Sequence, residues 1–226
     1  MAQRPVYLKY INNPMFESKI VDFKFFSGFS MIQKQRSVES LHASFAAISP
    51  QSKILEVSSA SSSELGVKLS AFNLYATGKS GNKYSVESMY QASKVFEKGG
   101  PYIDLLGKTS REAKKDIRIK ESGNIIGFKL NGKVIPMEPK SLCYNWIYIN
   151  TLNQNPELAK QIIEYDAFTD ISFNPKKSIN CQAESCAIYV SLVELGLLEK
   201  ALASINDFLM VVYGKNAMNS IEKPLF

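Results

Sequence analysis

The dipeptide Asn131-Gly132, set between the runs Ile125 to Leu130 and Lys133 to Met137, constrains this chain more than any other feature. A two-residue hairpin turn needs positive φ at both positions, which Asn followed by Gly supplies, and it joins antiparallel strands. The segments on either side are patterned as helices, so an all-helical bundle is excluded. The expected class is α+β, predominantly helical, with a small β-hairpin.

Around that hairpin the chain divides into readable segments. Met1 to Gln35 is rich in aromatics and proline, with Val21 to Phe29 as a strand before the turn at Gly28. Ser37 is placed to cap a helix to about Ala47, and Lys53 to Val57 reads as a short strand. Ser58 to Ser63 is either a loop within one domain or a boundary; its brevity and the apolar Leu65, Val67 and Leu69 behind it favour the loop. Ser85 caps a helix to about Phe96, which Gly99-Gly100-Pro101 ends. Thr109 and Glu112 have capping-box spacing and open a helix to about Lys120. Helices are then expected over about 141–150, 155–165, 181–198 and 202–213, with a polar loop from Asp166 to Asn180. Ser37-Val38-Glu39-Ser40 recurs as Ser85-Val86-Glu87-Ser88, which common helix-start chemistry explains without duplication.

Composition narrows the chemistry. With 226 residues, 45% hydrophobic and 21% charged, the chain can bury a sizeable core, which excludes disorder, collagen and coiled coil. No apolar run reaches the roughly 18 residues of a membrane span and Met1 to Lys9 lacks an apolar signal region, so a cytoplasmic protein without membrane association is expected. Cys143, Cys181, Cys186 and the lone His42 make no zinc pattern, and no metal or redox cofactor is expected. His42 reads as a packed or capping residue rather than the base of a nucleophile. The net charge of +6 favours a polyanionic partner without establishing one.

Four constellations could carry chemistry. Glu87, Gln91 and Lys94 fall within about 60° of one another on a helical projection, opposite Met89, Ala92 and Phe96. An acid, an amide and an amine so placed either meet a ligand or form a solvated face, and spacing alone favours the second. Arg111, Lys114, Lys115 and Arg118 project within about 100° as a basic stripe suited to phosphates or to solvent. Asp166 and Asp170 lie in a loop with Asn174, Asn180 and Gln182 following, residue types that suit a ribose and a developing oxocarbenium charge but equally suit turns and caps. Trp146 could stack on a base, although a core position is the simpler reading.

Tyr84-Ser85-Val86-Glu87-Ser88-Met89-Tyr90-Gln91-Ala92-Ser93-Lys94, the preceding Leu69-Ser70-Ala71-Phe72-Asn73 and the later Asp166-Ala167-Phe168 together resemble the NADAR family, N-glycosidases that act on ADP-ribose linkages. The likeness spans about Leu69 to Leu198. Gln33-Lys34-Gln35-Arg36, Gly99-Gly100-Pro101-Tyr102, Phe168-Thr169-Asp170-Ile171 and Asn180-Cys181-Gln182-Ala183 resemble one branch, antitoxins encoded beside DarT-like toxins that attach ADP-ribose to guanine in DNA. Phe168-Thr169-Asp170 departs from the aromatic-Trp-Gly of other relatives.

The resemblance implies a NADAR domain over residues 69–226 with residues 1–68 as an N-terminal extension packed on it, and an ADP-ribosyl-guanine hydrolase that restores DNA. Glu87 and Asp166 are then the catalytic carboxylates, with Lys94 as a nucleophile or anomeric-centre group that burial would keep partly neutral. Ser70, Asn73, Gln91, Asp170, Asn180 and Gln182 would contact ADP-ribose, and Phe72 and Trp146 would stack. Arg111, Lys114, Lys115 and Arg118 would hold the ADP-ribosylated DNA. Two alternatives remain at this point: a glycosidase of ribosylamino-pyrimidine metabolites and a non-enzymatic antitoxin that binds its toxin.

Overall fold

A computed structural model describes residues 1–28, 30–215 and 217. Phe29, the last residue of the strand expected from Val21, and the end of the expected 69–226 domain lie outside the described residues. The chain is a mixed α and β structure whose β content extends beyond the single hairpin.

The largest sheet has four strands, with 16–23 at one edge, then 2–9, then 167–169, and 54–56 at the other edge. Strand β1 (Ala2–Lys9) pairs antiparallel with β2 (Phe16–Phe23) along its whole length. It pairs with β9 (Ala167–Thr169) only at Tyr7 and Leu8, and β3 (Ile54–Glu56) runs parallel to β9. Pro5 obscures β1 in the sequence, because proline lacks the N–H an inner strand uses; here β9 stops short of it and leaves one side of β1 unpaired. Residues 1–68 thus supply β1, β2 and β3, while β9 comes from far along the chain and lies between β1 and β3.

Helix α1 (Met31–Ile48) covers this sheet through Val38, Leu41 and Phe45, packed with Val6, Val21, Phe23 and Ile171. It starts six residues before the expected Ser37, because Ser30 is the cap and accepts from Gln33 N at 3.3 Å. Ser37 is buried within the helix, returning its hydroxyl to Gln33 O at 3.0 Å and accepting from Phe26 N. The serine run after β3 is a set of tight turns, with Ala60 N on Ser58 Oγ and Ser63 N on Ser61 Oγ. It is closed over by α2 (Glu64–Lys68), whose Gly66 leaves no room for a side chain: a Cβ there would stand 2.0 Å from Glu56 O.

A second hairpin, β4 (Tyr75–Thr77) with β5 (Lys83–Ser85), leads into α3 (Val86–Ser93). The expected helix to Phe96 ends at Ser93. Lys94–Phe96 instead form β6, paired with β7 (Ile125–Leu130), which satisfies the backbone of a β-branched and aromatic stretch. The hairpin from β7 to β8 (Lys133–Ile135) stands where expected, with φ of 48° at Asn131 and 79° at Gly132. Between β6 and β7 lie a 3-10 turn (Ile103–Gly107), α4 (Ser110–Lys115) and α5 (Arg118–Glu121). The expected helix to Lys120 breaks at Asp116, where ψ of 131° stops helical propagation.

The main core is built by α6 (Leu142–Asn153) and α8 (Gln182–Glu194), closed by α7 (Pro156–Ile162), α9 (Leu198–Leu202) and α10 (Ile205–Tyr213). Among the described residues no helix is long and apolar enough to cross a membrane.

Candidate functional site

The turn from Ser70 to Leu74 is held against the start of α3. Glu87 N donates to Ala71 O and Val86 N to Leu74 O, both at 3.0 Å, so first-turn amides that would lack helical partners bond this turn. Ser85 caps α3 by accepting from Ser88 N, and Ser110 Oγ at the head of α4 donates to Phe72 O at 2.9 Å. The capping box expected at Thr109 and Glu112 is present and fixes the start of α4. From the other side, Gln182 at the head of α8 accepts from Ala71 N at 2.7 Å.

These elements surround a cleft of about 740 Å³, lined on one wall by Ser70, Phe72 and Asn73 and on its floor by Glu87, Tyr90, Gln91 and Lys94. Tyr144, Asp170, Phe173, Asn180 and Gln182 complete it, with Arg111, Lys114 and Lys177 at its rim. The polar stripe of α3 is buried rather than solvated: Glu87 and Gln91 are each 5% exposed and Lys94 8%. Gln91 joins the two charged groups, its Nε2 donating to Glu87 Oε1 and its Oε1 accepting from Lys94 Nζ, both at 2.8 Å. The ammonium also lies 4.6 Å from the centre of the Tyr90 ring. Lys114 Nζ reaches Glu87 Oε2 at 3.6 Å and lies over Phe72.

Burial, with the positive charge of Lys114 in support, pushes the Lys94 amine down to about 8, against the opposing pull of Glu87. An appreciable neutral fraction is therefore available near neutral pH. Asp170, accepting from Ser172 N at 2.9 Å and from Gln182, is pushed up to about 6 by its burial. Two buried polar atoms of the lining have no partner among the described residues: Ser70 Oγ and Asn180 Oδ1. Buried polar groups are normally satisfied, so this pair marks where a polar ligand would complete the site. Asn180 Nδ2 is engaged, donating to the Tyr90 hydroxyl.

The structure brings Ser70, Phe72, Asn73, Glu87, Gln91, Lys94, Asp170, Asn180, Gln182, Arg111 and Lys114 to one cleft. It separates four other candidates from it. Asp166 stands at the opposite end of β9 from Asp170, about 13 Å away along the strand at its usual rise. There it pairs with Lys9 at 2.9 Å and accepts from Lys53 N, so the carboxylate of this segment that faces the cleft is Asp170. Trp146 packs edge-on against Phe208 at 5.4 Å, on the far side of α6 from Tyr144. Lys115 is exposed and outside the lining, and Arg118 lies beyond the break in α4. Its guanidinium is taken up by Asp104 and Asp116 and stacks on Tyr102.

Tyr90, Tyr144, Phe173 and Lys177 were not legible as site residues. Tyr90 falls inside the Glu-Gln-Lys segment and could have been found there. Tyr144 and Trp146 share a helix buried on nearly all sides, so no apolar periodicity separates their faces. Among the described residues no group of three or more His, Cys, Asp or Glu gathers as a metal site would.

Fold and cleft together define a mixed α/β protein that presents a buried acid–amide–amine chain beneath a cationic rim. The family of DarT1-associated NADAR antitoxins matches residues 2–222, and the chain belongs to that family. No curated protein matches the chain.

Proposed function

We propose that the chain is an N-glycosidase that hydrolyses the bond between ADP-ribose and guanine in ADP-ribosylated DNA, and so acts as the antitoxin to a DarT-like ADP-ribosyltransferase. The observation that carries this reading is the buried Glu87–Gln91–Lys94 chain at the floor of a cleft whose walls hold the unpartnered Ser70 Oγ and Asn180 Oδ1. The cleft volume of about 740 Å³ is of the size that takes a nucleotide-sized ligand. Arg111, Lys114 and Lys177 suit the diphosphate and the neighbouring DNA phosphates.

Departure of guanine leaves positive charge at the anomeric carbon, which the carboxylates of Glu87 and Asp170 stabilise. The leaving base needs a proton, and Asp170, raised by burial, carries one in part of the population near neutrality. The neutral fraction of Lys94 supports a covalent route. Its amine attacks the anomeric carbon of the ring-opened sugar, guanine departs with a proton, and water hydrolyses the resulting imine to return ADP-ribose and the free amine.

The test is to incubate the protein with guanine-ADP-ribosylated DNA and follow free ADP-ribose by mass spectrometry, with Glu87→Ala and Lys94→Ala alongside. Release by the parent chain alone supports the reading. Release by none, with both variants still protecting cells from the toxin, identifies a binding antitoxin. Salt-insensitive hydrolysis of a ribosylamino-pyrimidine, with modified DNA untouched, identifies a metabolite glycosidase.

A further inference from the structure

Directly behind the cleft lies a second carboxyl group. Glu56, the last residue of β3, is 2% exposed and does not line the cleft. One of its oxygens accepts from Thr169 Oγ1 at 2.6 Å, and the other accepts from Ile171 N at 2.9 Å and from Ser58 Oγ. All three donors are neutral. Thr169 Oγ1 also lies 2.8 Å from His42 Nε2 on α1. When Glu56 is ionised it takes the Thr169 hydroxyl proton and His42 Nε2 donates to Thr169; when Glu56 is protonated the same bonds can run the other way. Burial pushes His42 down to about 4, so the ring is neutral. His42, Thr169 and Glu56 thus form one hydrogen-bonded chain.

The residue between Thr169 and Ile171 is Asp170. The two carboxyls hold consecutive amides, Glu56 that of Ile171 and Asp170 that of Ser172. Glu56 therefore holds the Thr169 side chain on one side of Asp170 and the Ile171 amide on the other, and through Ser58 it anchors another part of the lining. The groups around Asp170 are Arg4 and Tyr7 from β1, Lys114 from α4, Tyr144 and Tyr148 from α6, Cys181 before α8 and Cys186 within it. Lys114 and Arg4 are the cations among them and favour its ionised form. Burial acts against ionisation of both carboxyls, and the charge of Asp170 raises Glu56 further.

We propose that Glu56 is the positioning residue for Asp170 and that the two carboxyls titrate as one unit that shares a proton near neutral pH. A buried acid and a neighbouring acid on the cleft wall cannot both ionise without cost, so the pair loses its protons in two separated steps. Asp170 can then give up a proton in the cleft while a second carboxyl, held out of reach of substrate, keeps or returns one. This rests on the glycosidase reading only for the use made of that proton.

The test is a carboxyl-carbon NMR titration of the whole chain without substrate. The Asp170 signal of the parent should move in two steps. In Glu56→Gln it should move in one step, at the first midpoint of the parent, because Glu56 still holds its proton when Asp170 ionises. Asp170→Asn removes the charge that raises Glu56 and should lower the Glu56 midpoint by about one pH unit or more, which decides the matter if Glu56→Gln fails to fold. A single Asp170 step in the parent overturns the proposal, as does an unchanged Glu56 midpoint in folded Asp170→Asn. A two-step titration in a protein that releases no ADP-ribose leaves the pair standing and removes the glycosidase reading; release of ADP-ribose with a one-step titration does the reverse.

Discussion

Asp166 and Asp170 bracket the same three-residue strand, yet the structure gives them opposite surroundings. Asp166 is about one-third exposed and sits between Lys9 and the amide of Lys53, which together hold its carboxyl below the usual range against the cost of burial. Asp170 faces a cleft, accepts only neutral hydrogen bonds and lies beside a second buried acid, which leaves its carboxyl raised. Residue type and strand are identical, so the difference is one of position alone. A carboxylate acquires chemistry from its surroundings, and strand β9 carries the chain from a lysine ion pair at Asp166 to the cleft wall at Asp170.

The sharpest way to extend that contrast lies at the floor of the cleft. Lys94→Ala should abolish turnover while ADP-ribose still binds in calorimetry; near-normal turnover would remove the amine from the mechanism. Next comes the direct comparison, in which Asp170→Asn lowers kcat by about a hundredfold or more and Asp166→Asn stays within about twofold. Equal losses at the two ends of β9 would break the distinction.

A smaller effect separates charge from geometry. If the free amine of Lys94 is the reacting form, turnover rises with pH through about 8. Lys114→Gln removes a positive charge that opposes protonation of Lys94, so the rise should move to higher pH. A rise that stays in place would show that Lys114 does not tune the amine. The smallest change is expected at the solvated end: Asp166→Ala should cost about 1 kcal/mol of stability or less, since exposed ion pairs contribute little. Because that carboxyl is held low in the fold, the contribution is present at neutral pH and fades as pH falls through its range. Chemical denaturation of parent and variant at both pH values checks it.

Much of the local structure was legible. The positive φ at Asn131 and Gly132, the cap at Ser85 and the reciprocal bonds of Thr109 and Glu112 follow from short-range chemistry that each residue carries wherever it stands. The grouping of Glu87 with Gln91 on one face followed from helical spacing for the same reason. What spacing could not reveal is that the face is buried, because burial of Glu87, Gln91 and Lys94 is imposed by the 70–74 turn, by α6 and by α8, all distant in the chain. The end of α3 at Ser93 likewise reflects pairing of Lys94–Phe96 with β7.

The chain by itself therefore determined its Asn131-Gly132 turn, the caps at Ser85 and Thr109 and the order of its chemistry-bearing residues, since these depend on neighbours within about one helical turn. Only the tertiary structure decided which aspartate faces the cleft, that Tyr144 rather than Trp146 lines it, and that Glu56 stands behind Asp170. Each of those depends on long-range strand pairing and on desolvation, and neither quantity is a property of a segment taken alone.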